Sequence, residues 1–230
     1  MPRLPRIMSP GLPQHLVQRG NNREPCFFAE SDYLAYLHWL ERAARTYRVS
    51  VHAYVLMPNH VHLLATPGVE GGISKMMQYL GRHYVQYINK TYHRSGTLWE
   101  RRFLASLIES ECCLLSLYRY IESNPVRAGL VAAPEQYRWS SARTHVAPQR
   151  ETLLVDHDLY LRLGDTPQVR AQAYLESSRK PLEEEMLAEI RHAIRRGVPL
   201  GSEGFTEQIE QQLGRRVRLR KAGRKPKRNG

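Results

Sequence analysis

Cysteine is scarce in this 230-residue chain: Cys26, Cys112 and Cys113 are all it has. An odd count with two neighbours supplies neither a disulfide framework nor the CxxC spacing of a thiolate metal site, and this points to a cytosolic setting. Long apolar runs are missing too. No stretch approaches the roughly 18–20 apolar residues needed to cross a bilayer. The first seven residues carry two arginines but no apolar segment of signal-peptide length. Acid is short against base, with 22 Asp and Glu facing 34 Lys and Arg for a formal charge of +12. Such an excess favours a polyanionic partner, and nucleic acid comes before membrane because no basic amphipathic anchor is evident. The expected location is therefore the cytoplasm, at the nucleoid.

Enough apolar residues remain, 42%, to build a core for one ordinary domain with an appendage, or for two small ones. Alternation over residues 12–20 predicts a strand, closed by the turn residues Gly20, Asn21 and Asn22. Ser31-Asp32 is a helix start signal, and Tyr33, Tyr36, Leu37, Leu40, Ala44 and Tyr47 recur at helical spacing. A hairpin over 49–66 follows, turning at Pro58-Asn59. A second helix is expected over about 73–92, with Ile73, Met76, Met77, Leu80, Tyr84 and Ile88 as its stripe. A strand within 98–108 and a helix over about 110–123, stopped by Pro125, complete the series. Strand, helix, strand, strand, helix, strand, helix fits an α+β sandwich of the ferredoxin-like kind, an antiparallel sheet with helices on one face. Residues 126–150 read as an irregular wrap across it.

Within the hairpin, the two-residue period of a strand places His60 and His62 on one face. Two imidazoles so placed can share one divalent ion, although a bare His-x-His is more often two histidines on a half-exposed strand. The helix of 110–123 buries Leu114, Leu117, Tyr118 and Ile121 as a stripe. Tyr120 and Asn124, four apart, stack just outside it. Asn124 also suits a helix end before Pro125.

Four separated motifs agree in order and spacing: Met57-Pro-Asn-His-Val-His-Leu-Leu64, Leu98-Trp-Glu-Arg-Arg-Phe103, Tyr120-Ile-Glu-Ser-Asn-Pro-Val-Arg-Ala-Gly129 and Tyr137-Arg-Trp-Ser-Ser141. Together they closely resemble the REP-associated tyrosine transposases, the domesticated branch of the single-tyrosine HUH transposases, over about residues 10–145. The resemblance implies a ferredoxin-like catalytic domain over 1–150 that works as a monomer. It implies cleavage and rejoining of single-stranded DNA at hairpin-forming repetitive extragenic palindromes through a 5′-phosphotyrosine. Residue by residue, it gives His60 and His62 as the pair holding Mg2+ or Mn2+, Tyr120 as nucleophile and Asn124 as a third, polar ligand.

Arg94, Arg101 and Arg102 are candidates for gripping the DNA backbone, and Trp99 or Phe103 for stacking an unpaired base, with a core role equally open to these aromatics. No role is expected for His15, His52 or His83. Residues 151–213 read as a helical extension, with helices near 157–163, 168–178, 182–196 and from Ser202 to Leu213; the last two suit a helix-turn-helix. Residues 214–230 form a basic tail of nine Lys and Arg without acid, expected to be disordered when free and drawn to phosphates through Arg215, Arg216, Arg218, Arg220, Lys221, Arg224 and Lys225. Two other functions fit the same residues: a DNA-binding regulator that keeps the fold without the chemistry, and a metal-dependent nuclease with a water nucleophile.

Overall fold

The computed structural model describes residues 7, 9–147 and 151–217. Its first half runs β1 (Gln14–Arg19), α1 (Glu30–Thr46), β2 (Val49–Met57), β3 (His60–Pro67), α2 (Gly72–Thr91), β4 (Leu104–Leu107). The four strands form one antiparallel sheet in the order β2-β3-β1-β4. This is the expected ferredoxin-like α+β arrangement, in which each helix returns the chain to a non-neighbouring strand. β1 and β3 lie at the centre, so residues on them are held by hydrogen-bonded neighbours on both sides.

α1 and α2 cover one face. Tyr36 and Leu40 of α1 and Met76, Leu80 and Tyr84 of α2 pack on Leu16, Leu56, Val61 and Leu63. Burying each such aliphatic side chain contributes about 1.5–3 kcal/mol before entropy is counted. Asp32 does not sit at the expected N-cap but in the first turn of α1. Its Oδ2 accepts from the backbone N–H of Phe28 (2.7 Å) and Ala29 (2.9 Å) and from the Tyr92 hydroxyl (2.9 Å), while Oδ1 accepts from Tyr87 (3.1 Å). A fully buried carboxylate is tolerable there because both oxygens are occupied.

The second face carries α3 (Ser110–Glu122) and α4 (Asn124–Arg127), a single turn with Pro125 near its start. Leu114, Leu117, Tyr118 and Ile121 pack there with Ala53, Val55, Met57 and Leu64. Helices thus cover both faces: the pair within the ferredoxin-like unit lies on one side, and the chain that follows closes the other. A bulge between Val51 and Ala53 lets β2 keep apolar residues on both faces after His52 drops out of register. The adjacent Cys112 and Cys113 are joined in the first turn of α3, a link that closes no loop, and Cys26 is a free buried thiol.

The wrap and extension form α5 (Ala142–Val146), α6 (Asp158–Leu161), α7 (Pro167–Ser178), α8 (Glu184–Arg196) and α9 (Glu203–Leu213). Tyr160, Tyr174, Leu187 and Ile190 join the same core as α3. Gly197 ends α8 in the left-handed conformation, φ 68°, where its N–H reaches the Ala193 carbonyl at 2.8 Å. Ser202 caps α9 by accepting from the Phe205 N–H at 3.1 Å. Backbone from these segments also meets the sheet rims: Ser140 pairs with Val55, Leu154 with Val51 and Leu200 with Ile108. Arg218, Arg220, Lys221, Arg224 and Lys225, with the tail expected to be disordered, lie outside the described residues. Among the described residues no helix is long and apolar enough to cross a membrane.

Candidate active site

The register of β1 against β3 decides what surrounds the two histidines. His60 lies opposite Arg19 and His62 opposite Val17. Directly paired residues share a face, so β1 contributes Arg19, Val17 and His15 to the face that carries His60 and His62. His15 is a diagonal neighbour of His62, and its Nε2 meets His62 Nδ1 at 2.8 Å with the rings stacked, centroids 5.1 Å apart. The His60 and His62 rings stand edge to face, also with centroids 5.1 Å apart. His60 Nδ1 meets Asn59 Oδ1 at 2.6 Å. Asn59 is held in turn by its Nδ2, which donates to the Arg23 carbonyl at 3.1 Å.

α3 crosses this face and brings Tyr120 down onto it. The Tyr120 ring lies 5.9 Å from His62 and 5.9 Å from His15, edge-on to both. Over the phenol sits Arg127, its guanidinium carbon 4.4 Å from the ring centroid, a cation–π contact. The guanidinium is fixed from below: Nη1 donates to Ser123 Oγ at 2.5 Å and Nη2 to the Tyr120 carbonyl at 2.8 Å. Tyr118, two residues away, is fully buried on the apolar side, beside His145 and Tyr160. Asn124 lies one turn after Tyr120. Its amide nitrogen donates to the Tyr120 and Ile121 carbonyls at 3.0 and 3.1 Å, which leaves Oδ1 as its acceptor.

Burial keeps the three imidazoles neutral. Desolvation lowers His15 to about 3, and desolvation with the nearby Arg19 charge lowers His60 to about 4. His62 is pushed well below its ordinary value by burial first, then by its two histidine neighbours, Arg127 and Arg19. A neutral imidazole has one N–H and one lone pair, the form that binds cations. Among the described residues no three His, Cys, Asp or Glu side chains converge as a metal cage. What the described residues offer a cation here is the pair of neutral imidazoles of His60 and His62.

The helix that aims Tyr120 is tied down by a buried carboxylate on its opposite side. Glu122 Oε1 accepts from Ser141 Oγ and His145 Nδ1, both at 2.5 Å, and Oε2 accepts from the Tyr174 hydroxyl at 2.6 Å. Ser141 Oγ also accepts from the Tyr54 N–H at 3.0 Å, linking α3 to β2. The neighbouring Tyr137 hydroxyl donates to the Leu56 carbonyl at 2.8 Å, and Leu56 N–H donates to the Trp139 carbonyl at 2.8 Å. The Tyr137–Ser141 motif therefore acts as a clamp between the sheet and the tyrosine helix.

The remaining expected residues scatter. Arg101 and Arg102 are exposed on a segment bonded to the end of β1, where Glu100 N–H donates to the Arg19 carbonyl at 2.9 Å; Arg101 pairs with Glu100 at 3.3 Å. Their backbone thus runs close to the end of β1 that pairs with His60. Arg94 packs over Phe28 at 5.4 Å, on the α1–α2 side of the sheet. Trp99 and Phe103 are buried in the same core, Trp99 stacked on Tyr84 at 6.1 Å. Arg215 and Arg216 follow α9. Sequence reasoning missed His15, Glu122 and Arg127. The available signal for His15 was its two-residue spacing from Val17 and Arg19; which strand lay beside it was not legible.

Residues 9–124, just over half of the chain, match the family model described as IS200-like transposase. Over an aligned length of 99, which covers 39% of this chain, the identity to a putative REP-associated tyrosine transposase of Haemophilus influenzae is 27%, and the match spans little more than half of that relative, 56%. Among solved structures, a REP-associated tyrosine transposase bound to a REP hairpin superposes with a TM-score of 0.56 at 18% identity, over 68% of this chain and 93% of that one. A transposase from Deinococcus radiodurans gives a TM-score of 0.37 at 21% identity, over 53% and 96% respectively.

Proposed function

The chain belongs to the IS200-like transposase family, and from that premise we propose that it cuts and rejoins single-stranded DNA at hairpin-forming repeats with Tyr120 as nucleophile. The observation that carries the reading is the meeting of the Tyr120 ring with the His62 and His15 rings on one sheet face, beneath the Arg127 guanidinium. The relative and the solved hairpin complex that the chain resembles supply the substrate class.

The donor set suits Mg2+ or Mn2+. His60 and His62 each use Nδ1 in a hydrogen bond, to Asn59 and His15, and each keeps Nε2 for a ligand. Asn124 Oδ1 is the third candidate. Neutral ligands leave the ion's charge to the substrate: a cation held here would polarise a phosphate oxygen and orient the scissile bond. The Tyr120 phenol oxygen attacks the phosphorus as its proton departs. The phosphorus–O3′ bond breaks, the 3′ oxygen leaves and is protonated, and the DNA stays on the enzyme as a 5′-phosphotyrosine. Arg127 places positive charge beside the phenol as negative charge develops there. An incoming 3′-hydroxyl reverses the exchange, and because one phosphodiester replaces another, no ATP is required. Arg101 and Arg102, exposed on the segment bonded to the end of β1, are proposed for the flanking phosphates.

The test is a labelled hairpin oligonucleotide incubated with the full chain and Mn2+. The expected product is an SDS-resistant protein–DNA adduct, lost in Tyr120→Phe with binding nearly intact and kept in Tyr118→Phe. A free 5′-phosphate would mean hydrolysis. Tight binding without any cut would mean a regulator, and loss of the adduct in Tyr118→Phe alone would mean the wrong tyrosine.

A further inference from the structure

We propose that His15 is a positioning residue: by accepting a hydrogen bond from His62 Nδ1, it fixes the tautomer that leaves the His62 Nε2 lone pair for a divalent cation. The inference rests on the metal-binding reading given above and assigns a duty to a side chain which that reading does not use.

The argument starts at His60, where the proton can be located by elimination. Asn59 Nδ2 donates to the Arg23 carbonyl, so the amide turns Oδ1 toward His60, and His60 Nδ1 must bring the hydrogen. Its Nε2 is then the lone-pair nitrogen. At His62 no carbonyl or amide performs that task; the partner of Nδ1 is another imidazole, His15 Nε2, at 2.8 Å. One proton lies between the two nitrogens, and it can belong to either ring. If His15 owned it, His62 Nδ1 would be the acceptor, Nε2 would be protonated and His62 would be lost as a ligand. If His62 owns it, the pair matches His60, and both histidines present Nε2. Metal-binding histidines generally donate their other N–H to an outer acceptor, and losing that acceptor typically weakens metal affinity 10–100-fold.

His15 is built to serve only there. It is 1% exposed, on a central strand, between β3 and β4, stacked on His62 and edge-on to Tyr120. A histidine buried merely as filler could be replaced by an apolar residue of similar size without consequence for a cation on the far ring. A histidine that sets the neighbouring tautomer could not.

The experiment measures Mn2+ binding to the full chain without DNA, by the loss of the free-ion EPR signal, in the wild type and in His62→Ala, His15→Leu, His15→Gln and His15→Asn. Thermal unfolding of each variant runs alongside. Glutamine reaches about as far as His15 Nε2 and retains an acceptor; asparagine is too short and leucine has none. The expected result is a 10–100-fold loss of Mn2+ affinity in His15→Leu and His15→Asn, with His15→Gln within about threefold of the wild type. Should His15→Leu fail to fold, the glutamine–asparagine comparison decides alone. Equal affinity in all His15 variants, or equal losses in the folded glutamine and asparagine variants, overturns the role of His15. A wild type whose Mn2+ binding is unaffected by His62→Ala overturns the metal-binding reading itself, which is a separate failure.

Discussion

Replacing Glu122 by alanine should cost this protein a large part of its stability, although the residue touches nothing in the proposed reaction. Its carboxylate is 2% exposed and takes three short hydrogen bonds, from Ser141, His145 and Tyr174. Truncation strands three buried donors, each costing about 1–3 kcal/mol when left unpaired. The losses do not simply add, because water can enter the vacated space and meet some of the donors. An overall loss of about 3–5 kcal/mol follows, the size seen when one partner of a buried pair is removed. Against a total stability of about 5–15 kcal/mol, that is enough to leave the fold marginal. Glu122→Gln keeps the volume and one acceptor but turns an NH2 toward hydroxyl or imidazole donors, and should lose about 1–3 kcal/mol. Urea unfolding followed by circular dichroism at neutral pH measures both. A loss below about 1 kcal/mol in Glu122→Ala would show that the clamp between α3, β2 and α7 is not what holds the tyrosine helix in place.

Two further outcomes are expected. His52 is buried, donating from Nδ1 to the Val155 carbonyl at 2.7 Å and meeting Thr66 Oγ1 through Nε2 at 2.8 Å, and desolvation lowers it to about 4. The unfolded chain, with its histidine near 6.5, takes up the proton first as pH falls, so stability is complete above about pH 6.5 and declines toward pH 4, by on the order of 3 kcal/mol for this residue. Unfolding curves across that window should be less steep in pH for His52→Gln than for the wild type, and parallel slopes would remove His52 from the account. Deleting residues 214–230 should weaken DNA binding and flatten its salt dependence, each lost phosphate contact lowering the slope by about 0.7 on single strands. A truncated chain that keeps its affinity but loses its choice of hairpin would show that the tail reads shape or sequence.

Much of the fold was legible because it rests on local periodicity. The spacing of Met76, Leu80 and Tyr84 makes α2 amphipathic wherever it lies, and the period of two sets His60 and His62 on one face whatever strand lies beside them. Asp32 lies three positions past the N-cap, Ala29, since a carboxylate can close a helix start from the cap or from the first turn, and only the partners Phe28 and Ala29 tell which. The surroundings of the candidate site were less accessible. His15 meets His62 through strand pairing across 47 residues of chain, and Glu122 meets Tyr174 across 52. No spacing rule reaches so far. For Trp99 base stacking and a core role were both open from sequence, and its pairing with Gly20 at the end of β1 decides for the core.

Ser140 and Leu154 along β2, and Leu200 beyond β4, have a consequence for how copies of this molecule can meet. Outer strands of a sheet ordinarily offer bare amide and carbonyl groups to any extended peptide that drifts past. Here stretches of both outer strands are already engaged by the chain's own later residues, so strand-by-strand fusion between two molecules is opposed by contacts that must first be broken. Cutting away residues 151–217 would strip Leu154 and Leu200 and hand those groups to the solvent. A shortened protein of that kind would be more prone to stick to itself, even with its tyrosine and histidines untouched.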